Sequence, residues 1–164
     1  MEQNLIHSAK TYAQRHQLRL AERLGFGIHG NVFAAENNNK AGGTALKVHH
    51  SVEPYLRERK VYERLRDARV SDIAGFNVPQ LIGFDDELRV IEMTIVARPF
   101  VLDFAGAYLD APPEFPEEAW ANWEAEKREQ FETRWVTVRT VLAALEELDI
   151  HMVDVSPSNI AFLE

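Results

Sequence analysis

The chain has 164 residues, of which 46% are apolar, and a formal net charge of −8, a composition that suits one compact unit with its own core. It contains no cysteine, which excludes disulfides, thiolate zinc sites and thiol nucleophiles. Residues 1–99 carry 14 Lys and Arg against 12 Asp and Glu, but residues 100–164 carry 4 against 14, and this acidic second half argues against nucleic-acid binding.

No run of 18 apolar residues occurs, and the first residues lack the basic-then-apolar pattern of a signal peptide. We therefore expect no membrane association and a cytoplasmic protein. The acidic second half is interpreted as a solvated helical surface, with a docking surface for a basic partner as the alternative.

The first half of the chain has the pattern of an antiparallel sheet with two helices. A leading helix is predicted over residues 4–17, because apolar side chains recur there three and four residues apart. Short apolar or alternating runs predict five strands, at residues 18–21, 32–35, 44–48, 81–84 and 88–96. The Asn- and Gly-rich residues 37–43 predict a hairpin turn, and a helix is expected over 54–68, between the third and fourth strands. The fold class that follows is α+β with a five-stranded antiparallel sheet.

The second half of the chain predicts a different organisation. Arg98-Pro99-Phe100 interrupts the last strand, so we place a boundary between residues 1–97 and residues 98–164. Beyond it, a short helix is predicted over 104–109, followed by an extended proline-rich elbow over 111–116.

A long helix is predicted over residues 117–148, where apolar side chains recur at helical spacing. This buried stripe consists of Phe131, Trp135, Val138, Leu142 and Leu145. Glu124 and Lys127 fall on the same stripe, so the helix is expected to bend or to begin late near them. The three tryptophans of this region are interpreted as helix-packing residues rather than as a ligand-stacking box.

A glycine cluster, Gly25, Gly27 and Gly30, has the spacing Gly-x-Gly-x-x-Gly. In a dinucleotide-binding fold such a cluster opens a helix, but here Val32 and its neighbours continue as a strand. Glycines allow backbone amides to approach phosphates, because no side chain holds the backbone away. The cluster therefore predicts a phosphate-binding hairpin, with an ordinary tight turn as the alternative.

Lys47 lies in the third predicted strand, on the same face as Ala45 by the two-residue period. On the following helix, Glu58 lies at the centre of an apolar stripe. The stripe consists of Tyr55, Val61, Tyr62 and Leu65. A carboxylate on such a stripe needs a cation, because an unpaired buried charge costs several kcal/mol. We predict that Lys47 pairs with Glu58; Glu53 and Glu63 are the alternative partners, but both point away from the stripe.

Asp154 and Asn159 are five residues apart near the end of the sequence, with Pro157 between them. A carboxylate and an amide oxygen suit a hard cation such as Mg²⁺. The alternative is an Asx-type turn, which the same residues would form without any ligand.

Taken in order, the glycine cluster, the strand lysine and the Asp-x-x-x-x-Asn segment resemble the motifs of eukaryotic-type protein kinases. The resemblance covers roughly residues 18–160 and is greatest to short bacterial kinase-like proteins. It implies an N-lobe with one αC-type helix, a truncated helical C-lobe, and ATP bound at a hinge around residues 96–99.

The resemblance also implies a role for each motif residue in binding Mg-ATP and transferring its phosphoryl group. Gly25, Gly27, Gly30 and Val32 would form the phosphate loop, together with Lys47. Glu58 would orient Lys47, Asp154 would be the catalytic base, and Asn159 would hold Mg²⁺.

The chain departs from the kinase pattern in three places. Met152-Val153 stands where kinases have His-Arg, and Ser156 stands where they commonly have a lysine. Only residues 161–164 follow, so the usual position of the Asp-Phe-Gly magnesium ligand is not filled. Asp103, Glu164 or a partner chain are the candidate substitutes.

The leading hypothesis is an ATP-dependent phosphotransferase of the serine/threonine kinase type. The alternatives are a pseudokinase that binds an unknown protein partner, with or without nucleotide, and a structural adaptor that has lost the nucleotide. Because the implied C-lobe is short, the stripe on the long helix is expected to be partly uncovered, which predicts a homodimer. His49-His50 lacks nearby ligands and is not predicted to bind metal.

Overall fold

A computed structural model describes residues 2–37 and 42–163 of the chain as an α+β fold. The helices are α1 (Glu2–Arg15), α2 (Val52–Asp67), α3 (Glu117–Phe131) and α4 (Trp135–Glu146). The strands are β1 (Arg19–Phe26), β2 (Gly30–Glu36), β3 (Gly43–His49), β4 (Asp72–Ile73), β5 (Phe76–Asn77), β6 (Leu81–Asp85), β7 (Val90–Thr94), β8 (Phe100–Val101), β9 (Tyr108–Leu109), β10 (Ile150–His151) and β11 (Ile160–Ala161). Across these two ranges, no helix combines the length and the apolar character needed to cross a bilayer.

One antiparallel sheet contains β1, β2, β3, β7 and β6 in that spatial order. This confirms the predicted five-stranded antiparallel sheet, with a helix between its third and fourth strands. Strand β1 extends to Phe26, so Gly25 lies within the strand rather than after it. The predicted turn over 37–43 lies mostly outside the described residues, which omit 38–41, although Glu36 does pair with Gly43.

The two faces of this sheet pack against different helices. Helix α1 covers one face, where its buried side chains Leu5, Ala9, Tyr12 and Ala13 pack with Leu46 and Val48 of β3. The opposite face, which carries Ala45, belongs to the main core together with α2. The alternation in β3 therefore places Lys47 on the α2 side, as its two-residue period predicted.

The main core runs without interruption from the sheet to the second half of the chain. It joins Tyr55 and Leu65 of α2 to Val138, Val141 and Leu145 of α4. Of the five residues of the apolar stripe, four are buried by this chain, and Leu142 is partly buried and packs against the same core. The uncovered surface expected along α4 is therefore not found. The reason given for predicting a homodimer therefore does not hold, and the homodimer stays an untested prediction.

Short strands tie the two predicted regions together. Strand β8 pairs antiparallel with β11 and parallel with β5, in a small sheet of order β11-β8-β5-β4. Strand β9 pairs with β10. Strands from both sides of the predicted boundary at residue 98 therefore share hydrogen bonds. None of these two-residue strands was predicted, because two residues are too few to show a period.

The predicted helix over 104–109 is wrong. A turn at Ala105-Gly106 is followed by β9, because Tyr108 and Leu109 find hydrogen-bonding partners in β10.

The single long helix predicted over 117–148 is also wrong, because it is divided into α3 and α4. Between them lies a 3₁₀ turn, Glu132–Arg134, in which Glu132 has φ of 54°. A non-glycine residue in the left-handed region cannot continue a right-handed helix. The bend expected near Glu124 and Lys127 is not where the interruption occurs; both residues lie within α3.

Candidate functional site

A cleft of about 490 Å³ lies between the β1–β2 hairpin and the residues next to β8 and β11. Its walls bring together nearly all of the predicted site residues. The predicted residues that line it are Gly25, Gly27, Gly30, Val32, Lys47, Glu58 and Asn159. Asp103 lines it as well, whereas Asp154 does not.

The three glycines of the hairpin differ in what surrounds them. A Cβ atom on Gly30 would lie 1.9 Å from the carbonyl oxygen of Val48, so this glycine is needed for the close pairing of β2 with β3. A Cβ on Gly25 or Gly27 would meet no atom within 4 Å. The packing of the chain itself does not demand glycine at these two positions, which leaves their backbone open to a close-approaching ligand.

Lys47 and Glu58 form the ion pair predicted from the sequence, with 2.7 Å between Nζ and Oε1. Nζ of Lys47 also lies 2.9 Å from Oδ1 of Asp103, so the ammonium group is held between two carboxylates. Burial by itself lowers the pKa of Lys47, but the charges of Glu58 and Asp103 outweigh it and raise that pKa above its usual value. Lys47 is thus a fixed cation within the cleft.

The Glu58 carboxylate joins three parts of the site. It is fully buried, and its Oε1 contacts both Lys47 Nζ and His49 Nε2, each at 2.7 Å. Its Oε2 accepts a hydrogen bond of 2.7 Å from the backbone N–H of Phe104. Burial alone would raise the pKa of Glu58, but the Lys47 charge and the His49 hydrogen bond lower it to about 2.

Asp103 reaches the cleft because of the pairing between β8 and β11. Val101 is opposite Ile160, and the N–H of Leu102 donates a 2.9 Å hydrogen bond to the carbonyl oxygen of Asn159. Asp103 follows directly, with φ of 70°, a left-handed conformation that a non-glycine residue adopts at a cost. The next residue, Phe104, is fully buried. These contacts hold Asp103 beside Asn159, in a conformation that clefts of functional proteins often contain.

The ring of Phe104 packs edge-on against Tyr62 of α2, with 5.5 Å between the ring centroids. Together with the Phe104 N–H bond to Glu58, this contact anchors the Asp103 segment to α2. The position of Asp103 therefore depends on α2 as well as on β11.

Asn159 is buried, and its side chain closes the 154–159 loop through hydrogen bonds to backbone groups that precede it. Its Oδ1 accepts a 2.7 Å hydrogen bond from the N–H of Ser156, and its Nδ2 donates to the carbonyl oxygen of Asp154 at 2.8 Å. The hydroxyl Oγ of Ser156 also donates to this Oδ1 at 3.4 Å, so a cation at the oxygen would take the place of that longer contact. The hydrogen bonds of Asn159 also fix the backbone of the 154–159 loop.

Asp154 is exposed and lies at the rim of the site rather than in the cleft. It packs against Gly106, where a Cβ would come within 3.2 Å of the Cβ of Asp154. The preceding residue, Val153, accepts a 3.0 Å hydrogen bond from the indole N–H of Trp123. The loop that carries Asp154 is thus held from both sides while the carboxylate remains accessible.

The oxygen atoms that line the cleft suit a hard cation whose remaining coordination comes from a bound substrate. Asp103 and Asn159 offer two oxygen atoms from adjacent backbone segments, and Mg²⁺ is commonly held by one or two carboxylates together with substrate phosphates. Within the part of the chain that the structure describes, no three His, Cys, Asp or Glu side chains gather in an arrangement that could hold a metal ion by themselves. An ion held by Asp103 and Asn159 would complete its coordination with oxygen atoms from a bound ligand or from water.

Sequence reasoning left three candidates for the missing carboxylate, and the structure brings one of them to the cleft. Asp103 is there, whereas Glu164 lies outside the described residues. A further signal was present in the sequence, because Asp103 is followed by Phe104 as in an Asp-Phe-Gly segment. His49 was set aside as a loop residue, but it is buried at the end of β3 and contacts Glu58.

A larger groove, of about 630 Å³, runs along the other side of α2 and contains none of the predicted site residues. Some charged side chains of that groove are paired, namely Arg64 with Asp110 at 2.9 Å and Glu63 with Arg59 at 3.3 Å. The smaller cleft therefore remains the candidate site.

Comparison with known proteins finds no matching family model and no matching curated sequence. The function is therefore inferred from the geometry and chemistry of this cleft.

Proposed function

We propose that this chain is an ATP-binding, protein-kinase-like protein that transfers the terminal phosphoryl group of Mg-ATP to a hydroxyl group. The observation that carries the proposal is Lys47, which lies under the glycine hairpin in contact with both Glu58 and Asp103. A buried cation that is oriented by one carboxylate and borders an open glycine backbone suits a triphosphate better than a neutral ligand.

Three features of the fold support the kinase-like assignment. The five-stranded sheet has a helix after its third strand, and that helix supplies the glutamate partner of the strand lysine. The Asp-x-x-x-x-Asn loop borders the same cleft through Asn159. In kinases a lysine–glutamate pair of this kind directs the lysine to the phosphates.

The order of the motifs along the chain also departs from the kinase arrangement. In kinases the Asp-Phe-Gly segment follows the catalytic loop, whereas Asp103-Phe104 comes before Asp154 in this chain. The pairing of β8 with β11 supports the proposal that Asp103 nevertheless takes the metal-binding role, because it makes Leu102 and Asn159 neighbours. We therefore assign the magnesium ligands of the proposed site to Asp103 and Asn159.

In the proposed reaction, the chain positions the reactants and neutralises charge. Mg²⁺, when bound, would neutralise phosphate oxygens. Lys47 would contact the phosphates, and the hairpin at Gly25 and Gly27 could approach them closely because no side chain stands in between. The acceptor oxygen would form a bond to the terminal phosphorus as the bond to the leaving ADP oxygen breaks. Asp154 would receive the proton of the acceptor hydroxyl.

A second candidate function is a nucleotide-dependent interaction module. It is favoured by Ser156, which leaves the 154–159 loop without the lysine that kinases commonly place there, and by the exposed position of Asp154 outside the cleft. Such a protein would bind Mg-ATP without turnover. A structural adaptor without a nucleotide is less favoured, because it does not explain a buried Lys47 at an open cleft.

Thermal unfolding with and without Mg-ATP tests the proposal. A ligand at 100-fold its dissociation constant stabilises the folded state by roughly 2.7 kcal/mol, a shift of about 5–10 °C for a chain of this size. We expect the shift in the wild type and its loss in Lys47→Met, with Lys60→Met of the exposed α2 surface as the control. No shift in the wild type would contradict both nucleotide-binding functions. A shift without transfer from labelled ATP to any protein acceptor would favour the interaction module.

A further inference from the structure

His49 is a fully buried histidine in direct contact with the Lys47–Glu58 pair. Its Nε2 atom lies 2.7 Å from Oε1 of Glu58, the same oxygen atom that Lys47 Nζ contacts at 2.7 Å. The edge of its ring packs against Tyr55, with 5.5 Å between centroids. The imidazole is thus held in one orientation by α2 and β3 together.

The surroundings of the ring define where its proton must be. Both neighbours of the ring nitrogens accept hydrogen bonds, because Nε2 faces the Glu58 carboxylate and Nδ1 lies 3.3 Å from the carbonyl oxygen of Arg89. The shorter contact, at 2.7 Å, requires a proton on Nε2. His49 therefore donates to Glu58, whether or not Nδ1 also carries a proton.

Glu58 needs the His49 donor when Lys47, its other partner, contacts a phosphate. A lysine that contacts a phosphate shares its three protons among more acceptors, and its bond to Oε1 of Glu58 weakens. Oε2 would keep the Phe104 N–H, but Oε1 of this fully buried carboxylate would depend more on its second donor. An under-satisfied buried carboxylate is costly.

We propose that His49 is a positioning residue: it holds Glu58 and keeps its buried carboxylate satisfied while Lys47 engages the phosphates of a nucleotide. The inference rests on the proposed function, since it assigns His49 a part in phosphate binding. It goes beyond that function because no motif residue of the site requires a histidine at the end of β3.

The first test compares two substitutions of His49. His49→Gln keeps a side-chain N–H group able to donate to Glu58, whereas His49→Phe keeps a planar ring but removes the donor. Loss of a hydrogen bond to a charged group corresponds to about a 10- to 100-fold change in affinity. We expect His49→Phe to bind Mg-ATP about 10- to 100-fold more weakly than the wild type and His49→Gln to retain most of the affinity. His7→Phe, on the exposed side of α1, is the control.

The affinity for adenosine distinguishes a positioning role of His49 from a merely structural one. Adenosine has no phosphates and does not engage Lys47, so its affinity should be the same in the wild type and in His49→Phe. Equal losses for ATP and adenosine would overturn the inference, and so would unchanged ATP binding in His49→Phe. Failure of the wild type to bind either ligand would instead refute the proposed function, and the inference with it.

A second measurement needs neither a nucleotide nor a folded Phe variant. Long-range ¹H–¹⁵N correlation spectra of the wild type report which ring nitrogens of each histidine carry a proton, and His49→Gln assigns the signals of His49. We expect a protonated Nε2 in His49. An unprotonated Nε2 would show that His49 does not donate to Glu58 and would overturn the inference whatever the binding data.

Discussion

Lys47 and Asp103 are 56 positions apart in the chain, yet 2.9 Å separates Nζ of the lysine from Oδ1 of the aspartate. Because Lys47 also contacts Glu58, its positive charge is shared between two carboxylates before any ligand arrives. A phosphate group that entered the cleft would contact Lys47, and a metal ion would contact Asp103. Both would compete with the contact between these two side chains. If the proposed function is right, the contact between these two residues would link nucleotide binding to metal binding.

The first prediction concerns the pH dependence of stability. The pKa of Glu58 is lowered in the folded state to about 2 from an ordinary value of 4.5. The stability that this carboxylate contributes is therefore complete above about pH 4.5 and is lost as the pH falls toward 2, a difference of roughly 3 kcal/mol. In urea unfolding, the free energy of unfolding of the wild type should decline as the pH falls from 6 to 2.5. The decline should be smaller in Glu58→Gln. A wild-type profile identical in shape to that of Glu58→Gln would contradict the buried pairing.

The second prediction separates the glycines of the hairpin. Gly30→Ala places a methyl group against the Val48 carbonyl and should destabilise the fold by about 3 kcal/mol or more. Gly27→Ala meets open space and should change stability by no more than about 0.5 kcal/mol, yet it should weaken ATP binding. Chemical denaturation and calorimetric titration measure the two effects. If Gly27→Ala binds ATP as the wild type does, the hairpin does not approach the phosphates.

The third prediction concerns Asp103 and magnesium. Without Mg²⁺, Asp103→Asn should bind ATP at least as tightly as the wild type, because the carboxylate no longer competes with phosphate for Lys47. With Mg²⁺ the order should reverse, because the variant lacks a charged metal ligand. Titration calorimetry with and without Mg²⁺ measures both affinities, and Asp67→Asn, on the exposed end of α2, is the control. An equal gain from Mg²⁺ in both proteins would exclude Asp103 as a ligand.

The fourth prediction concerns Asp154. Its carboxylate lies outside the cleft, so Asp154→Asn should leave the Mg-ATP-dependent thermal shift intact. If Asp154 is the base, transfer of label from ATP to a protein acceptor should fall about 100-fold or more. Asp110→Asn, after β9, serves as the control. Unchanged transfer in Asp154→Asn would remove this residue from the mechanism.

Local patterns in the sequence were sufficient for several parts of the fold and the site. The alternation of Ala45, Leu46, Lys47 and Val48 predicted which face of β3 carries the lysine. The position of Glu58 on an apolar stripe predicted its pairing with Lys47, because a buried carboxylate requires a cation. Both inferences depend on periodicity, which a short segment displays by itself.

Other parts could not be predicted because they depend on contacts between distant segments. Strands β8, β9, β10 and β11 have two residues each, so no period marks them. The break between α3 and α4 depends on the left-handed conformation of Glu132, which helical composition does not reveal. His49 contacts Glu58 only because the end of β3 and the middle of α2 pack together.

The residue types in the chain, with their spacing along each strand and helix, were enough to identify a five-stranded sheet and the buried Lys47–Glu58 pair. The contact of Asp103 with Lys47 could be learned only from the folded chain. The reason is physical: periodicity is set by backbone geometry within one element. The approach of Asp103 to Lys47 is set by backbone hydrogen bonds between β8 and β11, which join segments that are far apart in the sequence.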